Sequence, residues 1–518
     1  MTIVAETNAT GGPIHPDVLE HATAIANAKG PEAFTELRNL WRTWDRADPT
    51  HVEEAIVGVI ENKAQPAPLR AYAGLLEAYA RRRRGDLEGA LARVEKLGFV
   101  SRYMTVGPFT NDGKTGINEE FPPELELLEP IPVGRAYEGK ERAVRWRVPP
   151  VGSSYGWFDF GDILRPVEDV CGFATTFVRS KPGSKTPTRP LTLWVGSAGA
   201  FKLFYEGKKV LEDVAYRDLD MDRFATTVTL RPTWSRVTIK VCGDSDAPKL
   251  SLRLGDSAGE PDLDVDVRAD LETSAESAAA EKELAKSKTA APAVTNRVLG
   301  PVQAFELATS PKTAKPQALE FYARYLAVTG GDPKAEHKAR DLAGRAADAE
   351  PTVSRLLLAG DLAEDRNQRR TWVERASAIA KTNSDKLEVL LAEAQLARSG
   401  TNWRDAVPIY ERILAIDPDN LGGTLGLVEL HIEAGLKRTA LDMLEKAVQK
   451  HPRSVSLLSV YAEQLRNLGR DAEADEIEAR YAALRFDDAS FLSQKVELAV
   501  SRRDAAGAER WLGRFLGV

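Results

Sequence analysis

Three aspartates, Asp218, Asp220 and Asp222, alternate along the chain, and Asp262, Asp264 and Asp266 repeat the pattern. In an extended segment such alternation sets three carboxylates on one face, a donor set suited to a hard cation such as calcium. Neither set has the glycine and closing glutamate of an EF-hand loop. The preferred reading is therefore solvated charge on an edge or loop. The turn-rich run Asn111-Asp112-Gly113-Lys114-Thr115-Gly116 is phosphate-friendly in composition but lacks the spacing of a Walker loop. The six histidines, His15, His21, His51, His337, His431 and His451, include no pair at helical i, i+3 or i+4 spacing for a metal. His431 reads as a core or groove histidine. Cys171 and Cys242 form no CxxC pair, which argues against a zinc site. Two free buried thiols are the preferred expectation for them; a disulfide is the alternative and would indicate an exported protein. Trp157, Phe158 and Phe160, flanked by Gly156 and Gly161, are the candidate ligand-binding residues. Their rings suit stacking on a sugar, and a core position is the other reading. The expectation is thus a non-enzymatic protein with no catalytic residues, no cofactor and no metal.

Composition narrows the partner class. Apolar residues make up 43% and charged residues 28% of 518, ordinary for a globular chain. A net charge of −7 argues against a general nucleic-acid binder. Arg81 to Arg84 form a run of four arginines at a helix end, where cations complement the helix dipole, so they read as a solvated cap. No stretch reaches the ~20 apolar residues of a membrane helix. The opening MTIVAETNATGG has no charged n-region or long apolar core of a signal peptide. This points to the cytoplasm, with export after loss of a leader as the alternative.

The elements that must position these residues announce themselves by period. Ala406, Ala440, Ala474 and Ala508 fall 34 residues apart, and Pro351, Asp385, Pro418, Pro452 and Phe486 keep step beside them. Thirty-four residues is one helix–turn–helix unit. Small ladder residues suit the close approach of two helices. Tyr410, Ile413 and Leu414, then Leu444, Ala447 and Val448, then Leu512, Phe515 and Leu516 follow at the spacing of an apolar helical stripe. Gly435 and Gly469 sit where a left-handed turn would end a first helix. Pro418 and Pro452 stop the second helices. First helices are expected over 387–397, 421–432 and 455–468.

On these residues the region from about 316 to 518 resembles the tetratricopeptide repeat family. The resemblance implies a stacked solenoid that holds protein partners. Val373 departs from it, standing where a small residue belongs. The last helix, about 505–516, carries Trp511, Leu512, Phe515 and Leu516. Such an apolar end implies packing back on the array, a dimer face, or a chain cut from a longer protein, the last being preferred.

Upstream, 14–99 reads as a short helical-repeat segment of the same kind, two hairpins in extent, and 100–255 alternates aromatic and β-branched residues with polar ones, as a jelly-roll sandwich does. Strands are expected over 102–106, 143–147, 171–179, 191–196, 201–205, 226–230, 235–241 and 249–254, with Glu206-Gly207 turning a hairpin. Val106-Gly107-Pro108-Phe109, Phe121-Pro122-Pro123-Glu124, Leu193-Trp194-Val195-Gly196-Ser197, Phe204-Tyr205-Glu206-Gly207-Lys208 and Val237-Thr238-Ile239-Lys240-Val241 resemble the galactose-binding-like sandwich modules of bacterial carbohydrate-active and multidomain proteins. Ala198 and Gly199 stand where sugar- or calcium-binding versions carry acids. Modules of this kind joined to tetratricopeptide repeats look like the front portion of large bacterial proteins that continue into a transglutaminase-like domain.

Residues 256–297, rich in Ala, Ser, Glu, Asp and Lys, read as a linker. The expected architecture is a multidomain α + β chain: helical segment 14–99, sandwich 100–255, linker 256–297 and α-solenoid 298–518. Its expected function is a protein–protein interaction scaffold working through the solenoid groove, with the sandwich rigidly separating the two helical parts. The alternatives are a carbohydrate-binding accessory module and the non-catalytic part of a larger transglutaminase-like protein. Partners would be proteins, with a glycan possible and nucleic acid and membrane spans excluded.

Overall fold

The computed structural model describes residues 14–150, 152–269, 298–310, 313–400 and 402–517. It is mixed α and β: helices, then antiparallel sheets, then a long helical run.

Five helices come first: α1 (Pro16–Asn27), α2 (Glu32–Arg42), α3 (Pro49–Glu61), α4 (Ala67–Arg83) and α5 (Leu87–Glu95). Proline opens α1 and α3 at the position where its missing N–H costs nothing. Asp48 and Asp86 cap α3 and α5 by accepting from backbone N–H groups. Trp44 and the apolar faces of α2 and α4 lie at the centre of this layer.

Twelve strands follow: β1 (Met104–Thr110), β2 (Tyr137–Glu138), β3 (Ala143–Val144), β4 (Phe158–Asp159), β5 (Val170–Ser180), β6 (Arg189–Ala198), β7 (Ala200–Tyr205), β8 (Lys208–Asp213), β9 (Phe224–Leu230), β10 (Ser235–Cys242), β11 (Lys249–Gly255) and β12 (Val265–Arg268). One sheet runs β1-β5-β10-β7-β8, with β12 also on β5, a second runs β4-β11-β6-β9, and β2 pairs with β3 in a third, two-stranded one. Strand period decides the layers. In β10, Val237, Ile239 and Val241 join the core shared with Leu193, Val195, Leu252 and Leu254 of the second sheet. The intervening side chains of β5 and β10 face a separate core with Phe109, Phe121 and Trp146, formed where the excursion between β1 and β5 folds over the sheet. That excursion includes one short helix, α6 (Pro122–Leu125). Glu206 and Gly207 turn β7 into β8 with positive φ, as the hairpin reading expected. Residues 256–269, read above as the start of a linker, instead carry β12 paired with β5, because Val265 has a buried place on that strand. The remainder, 270–297, lies outside the described residues.

Among the described residues thirteen further helices follow, beginning with α7 (Pro301–Thr309). Six pairs follow: α8 (Pro316–Thr329) with α9 (Pro333–Ala349), α10 (Val353–Asp361) with α11 (Arg366–Ile379), α12 (Asn383–Arg398) with α13 (Val407–Ile416), α14 (Leu421–Glu433) with α15 (Lys437–Lys450), α16 (Val455–Asn467) with α17 (Asp471–Leu484), and α18 (Ala489–Ser501) with α19 (Ala505–Gly517). This is a tetratricopeptide-like helical repeat. Ala406, Ala440 and Ala474 have no exposed surface, as expected where two backbones approach. Gly435 and Gly469 take φ of +78° and +74° just past the ends of α14 and α16. Pro418, Pro452 and Phe486 lie in the turns before α14, α16 and α18. Val373 is buried in α11, opposite the nine-residue α10, the shortest first helix of the array.

Candidate functional site

The two helical parts are not held apart by the sandwich; they touch directly. The turn series of the repeat forms the docking edge. Arg453, next to Pro452, donates from Nε to Asp48 Oδ1 at 3.0 Å and from Nη2 to Thr50 at 3.0 Å. Arg485 donates from Nη1 to both carboxylate oxygens of Asp45, at 2.7 and 2.9 Å. The Phe486 N–H donates to the Arg83 carbonyl at 2.8 Å. Its ring lies against Gly85, whose φ is +85° and where an added Cβ would come within 2.8 Å of that ring.

The arginine run belongs to this edge, which corrects its reading as a solvated cap. Only Arg81 fits that reading, paired with Glu77 and Asp86 near the surface. Arg82 lies 4.5 Å over Tyr155. The Arg83 guanidinium sits 4.1 Å from the Trp41 ring centre and 5.1 Å from that of Trp44. Burial, with Arg485 nearby, brings its pKa down to about 10. Arg84 pairs with Glu53 at 2.6 Å. Aromatic faces draw these cations into the interface, an effect that composition does not reveal.

In the first aspartate triplet Asp218 is exposed, as the solvated reading expects, but Asp220 and Asp222 are buried. Asp220 accepts from Arg38 Nε at 2.9 Å and Nη2 at 2.7 Å, from Tyr72 Oη at 3.0 Å and from Tyr325 Oη at 2.6 Å. Arg38 and Tyr72 come from α2 and α4, Tyr325 from α8. One sandwich carboxylate thus ties all three parts of the chain together. Burial alone would raise its pKa, but the Arg38 and Arg223 charges and these donors hold it below the ordinary aspartate value. Asp222 pairs with Arg253 through Nε at 2.7 Å; here burial prevails and the pKa is raised. In the second triplet, Asp262 pairs with Arg189 and Asp266 with Arg179.

The aromatic trio is divided. Phe158 and Phe160 are buried in the core, edge to face at 5.2 Å, with Tyr103 against Phe158. Trp157 is partly exposed beneath the Lys249 ammonium, 5.1 Å from its ring centre. No common face presents all three. Cys171 and Cys242 stand opposite each other in β5 and β10, with Cα atoms 4.0 Å apart, and are joined as a disulfide. The free-thiol expectation is thereby replaced by its alternative.

Away from the docking edge, the first helices of the array present a second series. Glu429, Glu463 and Glu497 occupy α14, α16 and α18 at steps of 34, and all three are exposed. The constant step sets them at the same position of successive first helices. Glu429 pairs with Arg398. Among the described residues neither Glu463 nor Glu497 has a hydrogen-bond or ion-pair partner. This series carries the same period as the alanines, so the repeat register was the signal that could have found it.

No family model and no curated protein matches the chain. Solved structures of MamA resemble part of it. One MamA AMB-1 structure is 17% identical, covering 36% of this chain and 93% of that one, with a TM-score of 0.26. A second MamA AMB-1 structure is 19% identical, covering 32% and 98%, with a TM-score of 0.23. MamA MSR-1 is 16% identical, covering 29% and 87%, with a TM-score of 0.23. Scores of this size carry no functional argument.

Proposed function

We propose that the chain is a non-enzymatic scaffold that holds a protein segment with basic side chains along the first helices of its C-terminal array. The exposed Glu429–Glu463–Glu497 series carries this reading. A cationic segment laid across the array meets one carboxylate per unit. Each exposed pair contributes only about 0.2–1 kcal/mol, so the repeat spacing supplies selectivity more than any single contact. The docked N-terminal helices support it by bracing the array from its turn edge. A sugar platform has less support, because Phe158 and Phe160 are buried. The disulfide favours the exported alternative over the cytoplasm.

The test is titration of a fluorescent decalysine peptide into the intact protein. Replacing Glu429, Glu463 and Glu497 together with glutamine should weaken binding about tenfold. Replacing three exposed glutamates of second helices, Glu411, Glu445 and Glu476, should change it little. Equal losses in both variants would reduce the effect to net charge and sink the proposal.

A further inference from the structure

A cleft between α8, α9 and α10 continues the acidic series of the array. Counting back from Glu429 in steps of 34 reaches Gln395, Asp361 and Ala327 on α12, α10 and α8, all three exposed. Asp361 and Ala327 both line a cleft of about 290 Å³. It therefore opens on the face that carries the glutamates. Its origin is a missing piece of helix. Arg398, the last residue of α12, corresponds to position 364, so α10 stops three residues early at Asp361. That is about 4.5 Å of helix at 1.5 Å per residue, and α8 and α9 wall the space it leaves. Buried Leu326 and Ala339 and half-buried Leu362 make the walls apolar.

The electrostatics of the cleft have one sign. Gly330 and Leu362, which line it, stand directly past the ends of α8 and α10. Helix dipoles are negative there, and neither last turn carries the cation that usually offsets them. Glu336 lines the same cleft, and Asp218 lies against Gly330, where any side chain would collide with its carboxylate. Both acids are exposed, and among the described residues neither has a hydrogen-bond or ion-pair partner. The remaining charges are already engaged. Asp361 accepts from Arg369 Nη2 at 2.9 Å. Arg340 donates from Nε to the Leu362 carbonyl at 2.9 Å, and its Nη1 lies 3.6 Å from Glu364.

We propose that this cleft anchors one lysine or arginine side chain of the basic segment proposed above, a reading on which this inference rests. Its volume is at the lower bound of ligand sites, which suits one long side chain. The methylenes lie on Leu326, Ala339 and Leu362, and the cation sits among Glu336, Asp218 and the two helix ends. Anchored at the first unit, the segment takes a fixed register along the 34-residue series.

Titration of the intact protein with two fluorescent decapeptides tests this. One is decalysine; the other is built from 2,4-diaminobutyrate, whose side chain is two methylenes shorter and cannot reach into the cleft. Ala327→Phe and Ala363→Phe narrow the cleft from opposite walls at positions that are not fully buried, and an unchanged circular dichroism spectrum checks the fold. Each should weaken decalysine about tenfold and the shorter peptide less than about twofold. Glu336→Gln should weaken decalysine about threefold, and Glu411→Gln, the same charge change elsewhere, should not. Unaltered decalysine binding in both phenylalanine variants overturns the proposal, as do equal losses for the two peptides. The glutamine triple variant at Glu429, Glu463 and Glu497 separates the two readings. If it weakens decalysine while the cleft variants do not, the anchor falls alone. If only the cleft variants weaken it, the anchor stands and the groove reading falls.

Discussion

Arg38 and Asp220, 182 residues apart, form a two-pronged ion pair closed off from solvent. The guanidinium is also stacked 4.0 Å from the Tyr72 ring centre and 4.9 Å from that of Tyr325. Each partner on its own would be a buried charge; together, with two phenols satisfying the remaining acceptor sites, they lock helices, sandwich and solenoid into one arrangement.

Removing one partner should therefore cost more than a surface pair does. Asp220→Asn leaves Arg38 buried without a counter-charge and should lower unfolding stability by about 3–5 kcal/mol. Urea denaturation measures this.

The same carboxylate makes a signed pH prediction. Its folded pKa lies below the ordinary 3.8, so its stabilisation is present above that value and is lost as pH falls through the folded pKa. Asp222, with a raised folded pKa, acts in the opposite direction: its contribution grows on acidification and is lost as pH rises through the folded value. Asp220→Asn should flatten the acid limb of the stability curve, and Asp222→Asn should steepen it. Equal curves for the two variants would exclude this assignment.

Gly85→Ala tests the docking edge. A side chain at φ +85° is strained, and its Cβ meets the Phe486 ring. Stability should fall by about 1–3 kcal/mol. Amide exchange should accelerate around 485–488 and at the end of α4 before it does in the sandwich.

The aromatic trio separates by burial. Phe158→Ala or Phe160→Ala should cost about 3–5 kcal/mol as core truncations. Trp157→Ala should stay near 1 kcal/mol, typical of a partly exposed site. Matching losses at all three would contradict their placement.

The disulfide closes a 71-residue separation. On loop entropy, reduction should cost about 4 kcal/mol. Thiol titration of the native protein should find no free cysteine, and reductant should lower the denaturation midpoint.

How much of this was legible in the sequence follows from range. Ala406, Ala440 and Ala474, and the turn glycines Gly435 and Gly469, were readable because a repeat writes each structural demand several times at one spacing. Strands such as 201–205 and 235–241 were readable from period two. The partners of Asp220 were not: an ion pair across 182 residues leaves no local pattern, and alternation of acids looks alike whether the loop is wet or buried. Phe158 and Phe160 were ambiguous for the same reason, since ring chemistry suits both a platform and a core. The Glu429 series was written in the repeat register but is hidden by the abundance of glutamate in helices.

The bond from Arg453 to Asp48 spans 405 residues, and that distance becomes a delay during synthesis. The helices α2–α4 leave the ribosome early, while the turns carrying Arg453, Arg485 and Phe486 emerge some 400 residues later. At ~5–20 residues per second, the Trp41–Trp44 surface waits roughly 20–80 seconds for its cover. Over that interval the nascent chain carries an open aromatic and arginine-rich patch, so its yield should depend on translation speed and on chaperones that shield such patches until the array closes over them.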